Sequence, residues 1–454
     1  MGARNLVVHP IEDRYGSKQM RAIFEEKNRF QQMLDVEAAL AKALAKVGEI
    51  PRNDASRIAK KAKTNYVKVK KIRELEQKTG HETMAFVLAL AKASGKSGRY
   101  VHLGATSNDI LDTAMAMQIR DALRIVEDEL QKLLEVTIDQ AEKYQDTIMV
   151  GRTHGQHAVP TTLGLKFAIW ARELNRHLQR LEQLKPRLLV GKMSGAVGTG
   201  AAWGNKGLKI QQLVMEQLGL ESAAASSQIL QRDRFAELIA FIGLLASTCA
   251  KIAREVRNLQ RTEIGELAES FAKEQVGSST MPHKRNPIRC EKVCGLARVL
   301  RANVGAALEN VVIEHERDLT NSSCERVLLP ESFLLIDEIL RTEREVLKGL
   351  VVRAKRMEEN LKLTRGLNMA EAAMIELTRQ GMDRQKAHEV LRECSSRAIR
   401  EQSSLASAMR KDGRVRKYLK DKEITRLLDP ERYLGSASRI VKQVVEGLRE
   451  AHKK

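Results

Sequence analysis

The longest regular signal in the chain begins at Leu238 and continues through Ile242, Leu245, Cys249, Ile252, Val256 and Leu259, in alternating steps of four and three. That spacing lays an apolar stripe along one face of a helix, and a stripe about three heptads long needs partner helices. Val293, Leu296, Leu300, Val304, Leu308 and Val311 repeat the theme. Between Ile110 and Lys143, Leu123, Val126, Leu130, Leu133 and Leu134 share a third such face. Residues 18–48 read as one amphipathic helix that closes near Gly48 and Pro51. A basic helical region then runs to about Lys78, and helix resumes from Glu82 to Ala93. Past Thr364-Arg365-Gly366 the pattern shortens, predicting helices at 369–380, 383–402 and about 436–451.

Long helices separated by polar breaks predict an all-α fold built on a helical bundle. Three segments follow from the pattern. Residues 1–111 form an N-terminal helical domain, 112–364 a central long-helix bundle, and 365–454 a C-terminal helical domain. Aromatics make up only 4% of the chain, and none of its eight prolines lies between Pro186 and Pro282, which favours long helices over sheet. No run of 18 apolar residues occurs, so no membrane span is expected. Met1 to Gly16 lacks a basic region followed by an apolar stretch, so no leader is expected there. The five scattered cysteines suit a cytoplasmic compartment rather than a disulfide framework. The glycine-rich run 195–204 has the wrong glycine spacing for a dinucleotide loop, and no strand pattern precedes it. It reads as a turn between helices.

The net charge of +20 raises the question of nucleic acid. Arg57, Lys60, Lys61, Lys63, Lys68, Lys70, Lys71 and Arg73 make one basic run, and Arg410 to Lys422 another. Only Tyr66 and Tyr418 fall within them, too few aromatics for a single-strand binder. The runs read as solvated helix faces, with a general positive potential that attracts polyanionic small substrates.

Four polar segments interrupt the helices: Gly80-His81-Glu82, His102 to Asp109, Gly151 to His157, and the loop 277–287. Five of the ten histidines sit in them: His81, His102, His154, His157 and His283. The loop reads Gly-Ser-Ser-Thr-Met-Pro-His-Lys-Arg-Asn-Pro, and its two prolines exclude ordinary helix. Convergent polar groups on a loop held by rigid elements are a common setting for chemistry.

That loop resembles the signature of the fumarase/aspartase superfamily, Gly-Ser-Ser-x-Met-Pro-x-Lys-x-Asn-Pro, at every fixed position. Within the superfamily the chain is most similar to the adenylosuccinate lyase family, over nearly its whole length. The similarity extends to Arg14-Tyr15, Thr106-Ser107-x-Asp109, Arg152 to His157, Gln228 to Arg232, Glu316 to Arg326, and Leu428 to Gly435. Argininosuccinate lyases usually carry Gln-Lys-Lys where this chain has His283-Lys284-Arg285, and fumarases carry Gly at the first of these positions. Carboxymuconate cycloisomerases share the His-Lys-Arg string but typically lack the His that stands here as His154.

The resemblance implies β-elimination of fumarate with cleavage of a C–N bond. It implies Ser278 as base and His154 as acid, with Lys284 and Asn286 as carboxylate partners. Thr106, Ser107, Gln228 and Ser279 become hydrogen-bond donors to substrate. His81 and His102 fall near the phosphate and reacting groups, with Glu82 beside them, and Glu291 orients the acid His. Arg14, Tyr15, Ser322, Ser323 and Arg326 hold the nucleotide. The resemblance also implies a homotetramer with shared sites, nucleotide substrates, and no metal or organic cofactor. One position departs from the pattern: many relatives have a basic residue where this chain has Gly80. The alternatives from other classes are a basic nucleic-acid-binding helical protein and a structural protein that kept the fold without activity.

Overall fold

A computed structural model describes residues 9, 11, 13–271, 274 and 277–452. The segment 1–8, on which the expectation of no leader chiefly rests, lies outside the described residues. Helices dominate. Five are long: Ser107–Lys143, Leu163–Leu188, Asp233–Gln260, Ile288–Glu309 and Thr320–Lys348. The boundaries of two compact units fall inside these helices. Unit 1 comprises residues 1–131, 177–250 and 293–341; unit 2 comprises 132–176, 251–292 and 342–454.

The stripe that begins at Leu238 is buried along its whole length, with no residue more than 2% exposed. The helix carrying it, Asp233–Gln260, is long and apolar enough by composition to cross a membrane, but most of its apolar window is buried inside the protein. Leu123, Val126, Leu130, Leu133 and Leu134 are buried as their spacing predicts. The third stripe divides. Val293 and Leu300 are fully buried, whereas Leu308 and Val311 are 56% and 41% exposed.

In unit 1, helices Glu26–Lys46, Arg52–Lys61, Val69–Thr79, Glu82–Ser94 and Gly207–Leu218 pack around Phe30, Leu40, Phe86 and Leu90. The helix expected over 18–48 is interrupted at Glu25, where ψ is 140°. The Ile23 carbonyl, released from the helical ladder there, accepts the side-chain amides of Asn28 at 2.8 Å and Gln118 at 2.7 Å. Those two bonds satisfy the acceptor that the break exposes. The glycine-rich run is a turn leading into a 3-10 helix at Ala201–Lys206. A Cβ at Gly198 would meet the Ser226 carbonyl at 1.9 Å, so backbone packing dictates glycine there. The basic side chains Arg57, Lys60, Lys63, Lys68, Lys70 and Lys71 face solvent.

Unit 2 holds the short C-terminal helices, among them Ala370–Arg379, Arg384–Arg400 and Ala437–His452. Leu377, Val390, Leu391, Cys394 and Met409 form part of their core. Here the pattern misses an element. The polar segment Gly151 to Thr162 is not a loop but most of an antiparallel hairpin, Ile148–Thr153 paired with Gln156–Thr162. Buried Met149, Val150 and Thr162 anchor it, while its tip is polar and exposed.

Candidate active site

The tip of that hairpin is a two-residue turn, His154-Gly155, between the paired residues Thr153 and Gln156. Both turn residues have positive φ, 54° and 75°. This is the combination that matches strand twist in a tight hairpin, and it is uncommon for a residue with a Cβ. The imidazole of His154 therefore stands on an exposed tip, at a position whose backbone would favour glycine or asparagine. Behind it, Arg152 grips the fully buried Glu266 with two bonds, 2.9 and 2.6 Å, and Asn360 adds a third at 2.8 Å. These contacts fix the strand that leads into the turn. Burial, and then the charge of Arg152, hold His157 below the ordinary imidazole value.

The signature loop lies in the same unit. The Ser278 Oγ accepts the backbone N–H groups of Thr280 at 3.3 Å and Met281 at 3.1 Å. Asn286 donates to the Gly277 carbonyl at 3.0 Å and so ties the two ends of the loop together. Gly277 passes close to its own loop, because a Cβ there would meet the Lys284 carbonyl at 2.2 Å. Arg285 lies over the Phe271 ring, and its carbonyl accepts Gln260 at 3.0 Å. The Glu269 carboxylate caps the helix that follows, accepting the N–H groups of Cys290 at 2.6 Å and Arg289 at 3.2 Å. Lys284 and Ser279 face solvent. Glu291 makes a loose pair with Arg257 at 3.8 Å, and within the chain it forms no hydrogen bond with His154.

Unit 1 organises a second set. Asp109 is fully buried and gathers the Thr106 N–H at 2.9 Å, the Ser194 N–H at 2.9 Å, the Gly195 N–H at 3.0 Å and the Lys192 ammonium at 2.5 Å. It holds Thr106 and Ser107 at the start of the helix Ser107–Lys143. One turn on, Asp112 takes both terminal nitrogens of Arg232, at 3.0 and 2.9 Å, and the Leu230 N–H at 2.8 Å. It thereby anchors the irregular segment that carries Gln228.

His102 has φ +63° and bonds Glu37 through Nδ1 at 2.6 Å. Burial alone would lower this imidazole, but the hydrogen bond and charge of Glu37 outweigh it and the net shift is upward. His81 caps the helix Glu82–Ser94, its Nδ1 accepting the Met84 N–H at 3.2 Å. In the neutral ring the proton is therefore on Nε2, the nitrogen left for a ligand.

A cavity of about 330 Å³ opens in this unit, within the size range of small-molecule sites. Ser322 and Arg326, four apart on one helix, are in its wall. Ser323, a third of a turn away, is exposed and outside it. Arg14 and Tyr15 precede Gly16, which packs so tightly on Leu334 that a Cβ would meet its side chain at 2.5 Å. That contact pins their segment to the helix carrying Ser322. Four lining arginines carry no site role in the sequence reading: Arg29, Arg73 of the basic run, Arg232 at the end of the string from Gln228, and Arg317. Arg317 donates to Gln228 at 3.1 Å, and burial, with the nearby charge of Arg232, holds it below the ordinary guanidinium value. Its position within Glu316-Arg317-Asp318 was the available signal.

A family profile described as Lyase matches residues 14–301, and one described as Adenylosuccinate lyase C-terminus matches residues 366–444. The chain is 54% identical to an adenylosuccinate lyase of Pyrococcus horikoshii, across 99% of this chain and 100% of that one. Among solved structures it is similar to a fumarate lyase from Mesorhizobium sp. BNC1, with TM-score 0.88 and 33% identity, covering 95% of this chain and 98% of that one. It is also similar to a 3-carboxy-cis,cis-muconate lactonizing enzyme from Pseudomonas putida, with TM-score 0.87 and 38% identity over 95% and 97% of the two chains.

Proposed function

The chain belongs to the adenylosuccinate lyase family, and on that premise we propose that it eliminates fumarate from adenylosuccinate, leaving AMP, and from the succinylated carboxamide ribotide of purine synthesis. The observation that carries this reading is the pair of backbone N–H groups on the Ser278 oxygen. A serine hydroxyl is a poor base in water. Two fixed donors favour its alkoxide, which makes the oxygen competent to take a proton from the carbon beside a carboxylate.

The rest of the chemistry follows from charge. Proton removal loads negative charge onto that carboxylate, and the exposed Lys284 ammonium, with the second amide hydrogen of Asn286, stabilises it. His154, on its exposed tip, protonates the departing nitrogen, and Glu291 orients it. Thr106, Ser107, Gln228 and Ser279 donate to the substrate. His81 offers Nε2 and His102 its paired imidazole near the phosphate and reacting groups. Glu82 contributes by holding arginines. Arg14, Tyr15, Ser322 and Arg326 take the nucleotide, with Ser323 at its edge. The elimination breaks one C–H and one C–N bond and forms the C=C bond of fumarate, with one proton passing to Ser278 and one from His154 to the departing nitrogen, so it draws on no oxidant or reductant.

Sites shared between chains of a homotetramer accord with the exposed Leu308, Val311, Val312, Leu319 and Val327 of unit 1. The three segments 1–111, 112–364 and 365–454 describe such a subunit, with the middle one in the shared bundle. A cytoplasmic location fits soluble nucleotide substrates. The likeness to a lactonizing enzyme favours one rival, cycloisomerisation of a carboxymuconate, and His154 argues against it. Incubating the protein with each substrate separates the two. Release of fumarate and AMP from adenylosuccinate supports the lyase. Turnover of carboxymuconate alone removes it.

A further inference from the structure

Two of the cavity arginines, Arg29 and Arg73, have no part in the reaction described above. Both guanidinium groups lie over the Phe30 ring, at 4.8 and 5.6 Å, and both reach Glu82. They are held differently. Arg29 puts two nitrogens on Glu82, at 3.0 and 2.5 Å, so its charge is matched by a carboxylate only 6% exposed. Arg73 reaches Glu82 at 3.2 Å but is held mainly by Glu76, at 2.5 Å, and Glu26. Those two carboxylates are 29% and 44% exposed, and pairs of that kind are screened by water and weak. Arg73 itself is 41% exposed. It is an oriented guanidinium on a cavity wall whose partners are easily exchanged.

The backbone next to His81 adds no charge of its own. The helix Val69–Thr79 ends on Gly80 in the left-handed conformation, φ +66°. A glycine is favoured there, so the residue before His81 brings no charge, although nothing lies within 4 Å of the space a Cβ would occupy. Seven residues earlier, two turns back on the same face, stands Arg73. Five arginines and three carboxylates, Glu26, Asp112 and Glu325, line the cavity, while Glu82 and Glu76 hold Arg29 and Arg73 from behind the wall.

We propose that Arg73 is a specificity residue for the phosphate end of the nucleotide. On binding, its fork exchanges Glu26 and Glu76 for phosphate oxygens and supplies the charge that Gly80 cannot. Arg29 stays on Glu82 and keeps that carboxylate from competing. The inference rests on the nucleotide reading of the site.

The test compares inhibition of the full-length enzyme by AMP and by adenosine, which lacks the phosphate. Arg73→Met should weaken AMP about tenfold or more, the loss expected for one charge-assisted Arg–phosphate pair, and leave adenosine unchanged. The same variant should raise KM more than it lowers kcat. Arg73→Lys should lose less, and Gly80→Arg placed in the Arg73→Met background should restore part of the AMP affinity. Unchanged AMP inhibition in Arg73→Met overturns the proposal. So does an equal loss for AMP and adenosine, which would mark a structural role. If the native enzyme cleaves no adenylosuccinate and binds no AMP, the nucleotide reading itself falls and takes the proposal with it.

Discussion

Lys192 and Asp109 form an ion pair with no exposed surface on either side chain, the ammonium 2.5 Å from the carboxylate. Two backbone N–H groups of the segment after Lys192, and that of Thr106, complete the shell around Asp109. Removing one partner leaves an uncompensated buried charge. Lys192→Met should therefore cost about 3–5 kcal/mol of stability in urea unfolding. In protein that remains folded, KM should rise, because Thr106 and Ser107 lose their anchor. A variant as stable as the native chain contradicts this account of the pair.

A second buried acid behaves differently. Glu343 is fully buried, and among the described residues neither carboxylate oxygen has a hydrogen-bond partner. Burial, reinforced by the charge of Glu269, pushes its carboxyl well above the ordinary value. A raised acid is neutral in the folded chain while the unfolded chain has already released its proton. Its contribution is complete below the ordinary glutamate range and is lost as pH rises towards the folded value. Glu343→Gln should remove that dependence and leave the protein more stable than native at pH 8, with little difference at pH 4. Thermal unfolding at the two pH values measures it. A Gln variant less stable at pH 8 would mean the carboxylate is ionised and paired.

His102 gives a dependence in the same direction from another cause. Glu37 raises its imidazole against the opposing effect of burial. The stabilisation is full below about pH 6.5, the ordinary histidine value, and disappears as pH passes the folded value. Glu37→Gln should flatten this step, which lies above about pH 6.5. A step of unchanged size would show that Glu37 is not its source.

The loop around Ser278 can be tested through its narrowest point. A methyl group at Gly277 would meet the Lys284 carbonyl at 2.2 Å. Gly277→Ala should open the loop, move the backbone donors off the Ser278 oxygen, and lower kcat by about a hundredfold or more, the scale of losing an oxyanion donor. The melting temperature should change little, because the loop lies largely outside the core. Full activity in this variant would show that the closed loop is not needed.

The parts of this fold that were legible are those where one periodicity covers many residues. The stripe from Leu238 to Leu259 needed only spacing to be read. The hairpin at 148–162 stayed hidden because its inward positions are few and its tip is made of Thr, His, Gly and Gln, residues that also make loops. The break at Glu25 depends on Asn28 and Gln118 capturing one carbonyl, and the second of these is 95 residues away from it. At the site, Ser278 and His154 stand in recognisable strings. Arg232 closes one such string, Gln228 to Arg232, but Arg29 and Arg73 stand in none, and what makes these arginines matter is the company of Glu82 and Asp112, which only the folded chain supplies. Leu308 and Val311 follow the same spacing as their buried neighbours and yet face outward, since spacing locates a face without saying what covers it.

The central claim is that the Ser278 oxygen, held by the N–H groups of Thr280 and Met281, takes the proton that begins fumarate release. The most direct measurement is kcat for adenylosuccinate cleavage, followed by ultraviolet absorbance, in the native chain and in Ser278→Ala. The account predicts AMP and fumarate from the native enzyme and a loss of about a thousandfold or more in kcat for the variant, with KM altered far less. A Ser278→Ala enzyme that turns over at a rate close to native would contradict it.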